Sequence, residues 1–156
     1  MYSPRQVLAR SVRVSVPDPL MAAPTEVDLA SAERALGRCL PESFLDFQRV
    51  MGGRGLSGVT VLRLASHADD AANLIEVNLR WRSPRHGCGL PADVVAFAAD
   101  GAGDLFCFDL RTGVAEPPVV LWDPTLDPET NLTDLRPQFS SFIEWLEAEL
   151  DLTAAA

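Results

Sequence analysis

Helical apolar stripes and shorter β-prone runs succeed one another along this chain, and their order carries most of the structural information. Leu29, Ala32, Leu36 and Cys39 recur at steps of three or four, which predicts an amphipathic helix from about Val27 to Leu40. Thr25 or Asp28 is placed to accept the free N–H groups of its first turn. Pro41 suits the first turn of a second helix, whose buried stripe is Phe44, Phe47 and Met51 and which ends at Gly52-Gly53. The run Val59 to Leu64 is rich in β-branched residues and reads as a strand. A third helix is predicted from about Asp69 to Trp81, with Ala71, Leu74, Asn78 and Trp81 on one face and Pro84 close after it.

The second half begins with two strands, Val94 to Ala98 and Leu105 to Leu110, joined by Asp100-Gly101-Ala102-Gly103-Asp104, where glycines flanked by aspartates predict a hairpin turn. A further strand, Val119 to Trp122, follows the turn at Arg111-Thr112-Gly113 and the extended Pro117-Pro118. Asp123 to Asp134 reads as a polar loop limited by Pro124 and Pro128. The last helix has the clearest stripe: Phe139, Phe142, Ile143, Leu146 and Leu150, with Glu144, Glu147 and Glu149 pointing elsewhere. Trp145 falls off that stripe and is expected to be partly exposed on an acidic helix, a position from which an indole can anchor a partner. Trp81 and Trp122 are expected in the core or at its edge.

Clustered strands without regular βαβ alternation predict an α+β fold with a mainly antiparallel sheet of about four to six strands and helices packed against it. At 156 residues the chain fits one domain. Residues 1–24 are expected to form an arm or short helix and a Pro-rich connector, residues 25–150 the core, and residues 151–156 a frayed tail.

Apolar residues at 47% and charged ones at 22% exclude the composition of a disordered chain. No apolar run reaches the roughly 20 residues needed to span a bilayer, and the arginines near the start argue against a signal segment, so the location expected is cytoplasmic. Cys39, Cys88 and Cys107 have neither C-x-x-C nor zinc spacing. The net charge of −9 is unevenly placed: residues 1–99 carry 11 Arg against 10 Asp/Glu, residues 100–156 carry 2 Arg against 12. Such acidity repels nucleic acid and favours a basic protein partner, although it also serves plain solubility.

The residues resemble a known family, the SUKH superfamily or Smi/Knr-type domain. The resemblance rests on Glu33, Leu36-Gly37, Leu40-Pro41, Phe44, Phe47 and Gly52-Gly53; on the block Phe97 to Asp109; and on Val120-Leu121-Trp122-Asp123 followed by the segment Phe139 to Leu146. These blocks span roughly residues 27–150 in the family's order. The family often has Asn where Met51 stands and His where Pro124 stands. The resemblance implies a SUKH-like fold and an immunity protein of a bacterial toxin system, which binds a cognate toxin domain and blocks it. Many such toxins are nucleases with basic surfaces, which an acidic ligand suits.

Asp100, Asp104 and Asp109 around a glycine-rich turn have the look of a cation site, but a calcium loop of the common helical type closes with Glu at its twelfth position, where Arg111 stands. No G-x-G-x-x-G pattern leads into a helix, so no nucleotide is expected either. His67 and His86 are the only candidates for a neutral-pH base, and Cys88 beside His86 is a weak nucleophile candidate. An enzyme would require one of them to meet a carboxylate or thiol in a pocket.

The expectation is therefore a non-enzymatic binder without cofactor or metal, and without nucleic-acid or membrane contacts. Its partner face would draw on Asp100, Asp104, Asp123, Asp127, Glu129, Asp134, Glu144, Trp145 and Glu147 as one contiguous acidic patch. The other reading is a regulatory or scaffold module of the same fold with an ordinary cellular partner.

Overall fold

A computed structural model describes residues 2–17, 22–51, 54–56, 58–64, 71–85 and 88–156. His67, His86 and the Gly52-Gly53 turn lie outside these residues. The elements in order are α1 (Pro4–Val14), β1 (Val16–Pro17), α2 (Glu26–Leu36), α3 (Glu42–Met51), β2 (Arg54–Gly55), β3 (Val59–Val61), α4 (Leu74–Arg82), β4 (Val94–Asp100), β5 (Leu105–Asp109), β6 (Val119–Trp122), α5 (Pro128–Asp134), β7 (Pro137–Phe139) and α6 (Phe142–Ala155). β3 to β7 form one antiparallel sheet in sequence order, and β1 pairs with β2 separately. The α+β class and the antiparallel sheet agree with the hydrophobic pattern.

β4 is buried from Val94 to Ala98 because both faces of the sheet are covered. On one face an aromatic cluster joins the sheet to α3 and α6. Phe97 stacks on Phe108 at 4.2 Å between centroids, and Phe44 meets Phe108 and Phe142 edge-on at 5.3 Å each. Such pairs add about 0.5–1.5 kcal/mol each beyond the burial of their area. On the other face lie Leu105, Cys107, Val120 and Trp122, whose indole N–H donates to Cys88 Sγ at 3.0 Å.

Two buried amides complete the sheet where strands are missing. β3 pairs only with the end of β4, so the Ala96 backbone would be left open; the Asn78 amide of α4 bonds both its groups. Gln48 of α3 does the same for the segment after β3, donating to the Leu62 carbonyl at 2.9 Å and accepting from the Leu64 N–H at 3.3 Å. Glu33 reaches from α2 to accept the Leu40 N–H at 2.8 Å, which orients the chain entering Pro41.

Several boundaries differ from the periodicity. α2 stops at Leu36 because Gly37 adopts the left-handed conformation (φ 70°), so Cys39, expected on the buried stripe, is exposed. α4 begins at Leu74, capped by Asn73, whose Oδ1 accepts from Ile75 and Glu76 N–H. The expected loop Asp123 to Asp134 contains α5: Asp127 caps it and Pro128 occupies its first turn, where a missing N–H costs nothing. Phe139, expected on the last helix, ends β7; Ser141 then caps α6 by accepting the Glu144 N–H. α6 continues to Ala155 where a frayed tail was expected.

Pro4–Val14 forms the helix α1. A capping box joins Ser3 and Gln6, Val7 enters the core, and Arg10 pairs with Asp151 of α6 at 2.5 Å.

Candidate functional site

The sheet register distributes the acidic residues between two places. β4 ends at Asp100, β5 starts after Asp104 and β6 ends before Asp123, so these three carboxylates meet at one end of the sheet. The Asp100 side chain accepts the N–H groups of Ala102, Gly103 and Asp104 at 2.8–2.9 Å, which is turn formation rather than a cation cage. Burial, then the nearby charges of Asp100 and Asp123, raise the Asp104 carboxyl above its usual range.

α5 adds to this end. Asn131 clamps it to β6, accepting from the Asp123 N–H at 3.0 Å and donating to the Asp123 carbonyl at 2.8 Å. Asp123 and Asp127 are held below their usual range by the hydroxyl and N–H of Thr125 and Thr130 respectively, so both stay ionised. Asp127, Glu129 and Asp134 are exposed, beside Leu126 and Leu132 at 42% and 38% exposure. None of Asp100, Asp104, Asp123, Asp127, Glu129 and Asp134 joins an ion pair among the described residues.

Glu144 and Glu147 belong elsewhere. They line an open groove of about 820 Å³ between the starts of α1, α3 and α6, together with Tyr2, Leu8, Asp46, Glu116 and Ile143. Glu116 and Ser140 lie where β6 begins and β7 ends, the opposite end of the sheet from Asp123. Strands rise about 3.3 Å per residue, so the two ends are about 15 Å apart along β6. The single contiguous patch expected from the charge count is therefore two separate acidic regions.

Trp145 requires a correction. Expected to be partly exposed, it is wholly buried, edge-on to Phe97 at 4.8 Å and beside Phe106 at 5.6 Å. The sheet presents an aromatic surface wide enough to cover positions 142, 145, 146 and 150 of α6, so the buried stripe is broader than the sequence repeat indicated. Trp145 cannot anchor a partner. Cys88 and Cys107 are poor nucleophiles: burial pushes the Cys88 thiol and, further, the Cys107 thiol upward.

Tyr2, Leu8, Asp46 and Glu116 were not singled out by the sequence. They join the groove from three stretches of chain more than 30 residues apart, and no local motif announces such a meeting. Leu126 and Leu132 had a fainter signal, as leucines in a polar stretch with no strand or helix to bury them.

Among the described residues, no helix is long and apolar enough to cross a membrane. No curated protein matches this chain. A crystal structure of a protein from Pseudomonas syringae pv. tomato is similar in fold, with a TM-score of 0.69 over 92% of this chain and 95% of that one at 17% identity. The profile of the SMI1 / KNR4 family (SUKH-1) matches residues 23–148, from just before α2 into α6, and so takes in the hairpin, α5 and the aromatic cluster. On this match the chain belongs to the SMI1 / KNR4 family (SUKH-1).

Proposed function

We propose that this chain is a non-catalytic, cytoplasmic immunity protein that binds a cognate bacterial toxin stoichiometrically, with a basic, nuclease-type domain as the target best suited to its charge. Family membership supports the class. The observation that carries the reading is the end of the sheet where Asp100, Asp104 and Asp123 are brought together without ion-pair partners among the described residues, flanked by Asp127, Glu129, Asp134 and two exposed leucines.

Uncompensated carboxylates steer a basic partner and speed its association, and apolar side chains among them supply area to bury on docking. The carboxylates are held by the Asp100 turn, the Asp123–Thr125 and Asp127–Thr130 bonds and the Asn131 clamp. A face held in place before binding loses little side-chain entropy when the partner arrives.

The test is co-expression with a candidate toxin encoded beside the gene. The wild-type chain is expected to restore growth and to co-purify with the toxin. The Asp123→Arg, Asp127→Arg, Glu129→Arg variant is expected to slow association about tenfold or more at low salt, with the difference shrinking as salt is raised. Failure of the wild-type chain to rescue overturns the immunity reading; an unchanged on-rate in the variant removes this face from it.

A further inference from the structure

The groove at the opposite end of the sheet has the makings of a second binding surface. Tyr2, Pro4, Leu8 and Ile143 give it an apolar lining, and Asp46, Glu116, Glu144 and Glu147 stand along it with Arg5, the one cation among the described lining residues. Its volume of about 820 Å³ lies within the usual range for binding clefts.

The carboxylates are fixed without being neutralised. Glu116 accepts the Ser43 hydroxyl at 2.5 Å and the Ser43 N–H at 3.2 Å, at the start of α3. Glu144 accepts the Ser140 N–H and hydroxyl at 2.5 and 2.6 Å, before α6, and these bonds hold its carboxyl below the usual range. Glu147 accepts the Tyr2 N–H at 3.4 Å, ahead of α1. None of these three joins an ion pair among the described residues, whereas Asp46 pairs with Arg49. Each is anchored to a different helix start, so the negative charge is spread along the rim. Among the described residues, no group of three or more ligands converges to hold a metal ion.

Spread charge over an apolar floor matches an occupant whose cations are likewise spread and separated by apolar groups. We propose that the groove docks a segment of a protein partner in which arginine or lysine side chains alternate with aliphatic ones. The aliphatic groups lie against Leu8 and Ile143, and the cations reach Glu116, Glu144 and Glu147. This second site is distinct from the end of the sheet assigned to the toxin, and it stands or falls independently of that assignment.

The experiment uses the full chain, a peptide of alternating arginine and leucine, and an all-arginine peptide of equal charge as comparison. Saturable amide shifts are expected at residues 2–8, 43–46 and 140–147, with the all-arginine peptide binding at least about fivefold more weakly because it leaves the floor uncovered. Glu147→Arg is expected to weaken the alternating peptide about tenfold. Glu147 makes one long bond, to the Tyr2 backbone N–H, so the variant is expected to retain the wild-type melting temperature, and Tyr2→Ser, at a half-exposed position, is a second, milder probe. Shifts confined to residues 100–134, equal affinity for the two peptides, or an unchanged affinity in Glu147→Arg would overturn the proposal. None of those results bears on toxin rescue.

Discussion

The Asn78 side chain closes on Ala96 from both sides: its Nδ2 donates to the Ala96 carbonyl at 2.8 Å, and its Oδ1 accepts the Ala96 N–H at 2.8 Å. A side chain on α4 thus occupies the place of an absent strand beside β4. The same Nδ2 also donates to the Leu74 carbonyl at 2.8 Å, and the residue is wholly buried.

Replacing Asn78 with leucine leaves two buried backbone groups unpaired. Each such group costs about 1–3 kcal/mol, so Asn78→Leu is expected to lower unfolding stability by about 2–6 kcal/mol. Asn78→Asp keeps the acceptor but turns a carboxylate oxygen toward the Ala96 carbonyl, and is expected to cost at least as much at neutral pH. Urea denaturation of the three proteins checks this. A loss below about 1 kcal/mol in both variants would mean that water or a shifted backbone satisfies Ala96.

Gly89 packs under the first residue of α5. A Cβ there would stand 2.5 Å from Pro128 Cγ, and its φ of +67° already disfavours any residue with a side chain. Gly89→Ala is expected to destabilise by about 1–3 kcal/mol and to move α5 away from the sheet. The displacement should be read at the Asp123 amide, which is bonded to Asn131. Adding Pro128→Ala removes the clashing ring carbon and is expected to recover about 1 kcal/mol, which a double-mutant cycle measures.

Two aspartates set opposite pH dependences. Arg111 holds Asp109 below its usual range through bonds of 2.8 Å to each carboxylate oxygen. Its folded value lies below its unfolded one, so its stabilisation is present above the unfolded value and lost as pH falls through the folded one. Asp104 is raised by burial and by Asp100 and Asp123, so its charged form strains the fold at neutral pH and protonation relieves it as pH falls. Asp109→Asn is expected to lower stability at neutral pH by about 1–3 kcal/mol and to shrink the acid-side loss. Asp104→Asn is expected to raise stability at neutral pH and to abolish the gain on mild acidification. Melting temperatures between pH 3 and pH 7 separate the two, and variants that change in the same direction would refute the assignment.

Local signals agree with the structure at the α3 stripe and at the turn between β4 and β5. The stripe Phe44, Phe47, Met51 is buried, and Asp100 to Asp104 makes the turn its aspartates and glycines indicated. α5 was missed because seven residues hold fewer than two full helical turns, too short for a periodic stripe, and its Asp127-Pro128 start resembles a loop. Phe139 continued the apolar run into α6, but Ser140 and Ser141 break it, and β6 offered an open edge for β7 to pair with.

What the sequence determined by itself is most of the longer helices and strands, the main apolar stripes, the α+β class and an acidic second half, because propensity, periodicity and charge act between near neighbours or as simple sums. Only the tertiary structure decided which carboxylates share a surface. Strand register brings Asp100, Asp104 and Asp123 to one end of the sheet, and the crossing of α1 and α6 puts Tyr2 beside Glu147 at another place. It also decided that Trp145 is core, since burial depends on the width of the surface an α-helix meets, and that surface is assembled from strands distant in the chain.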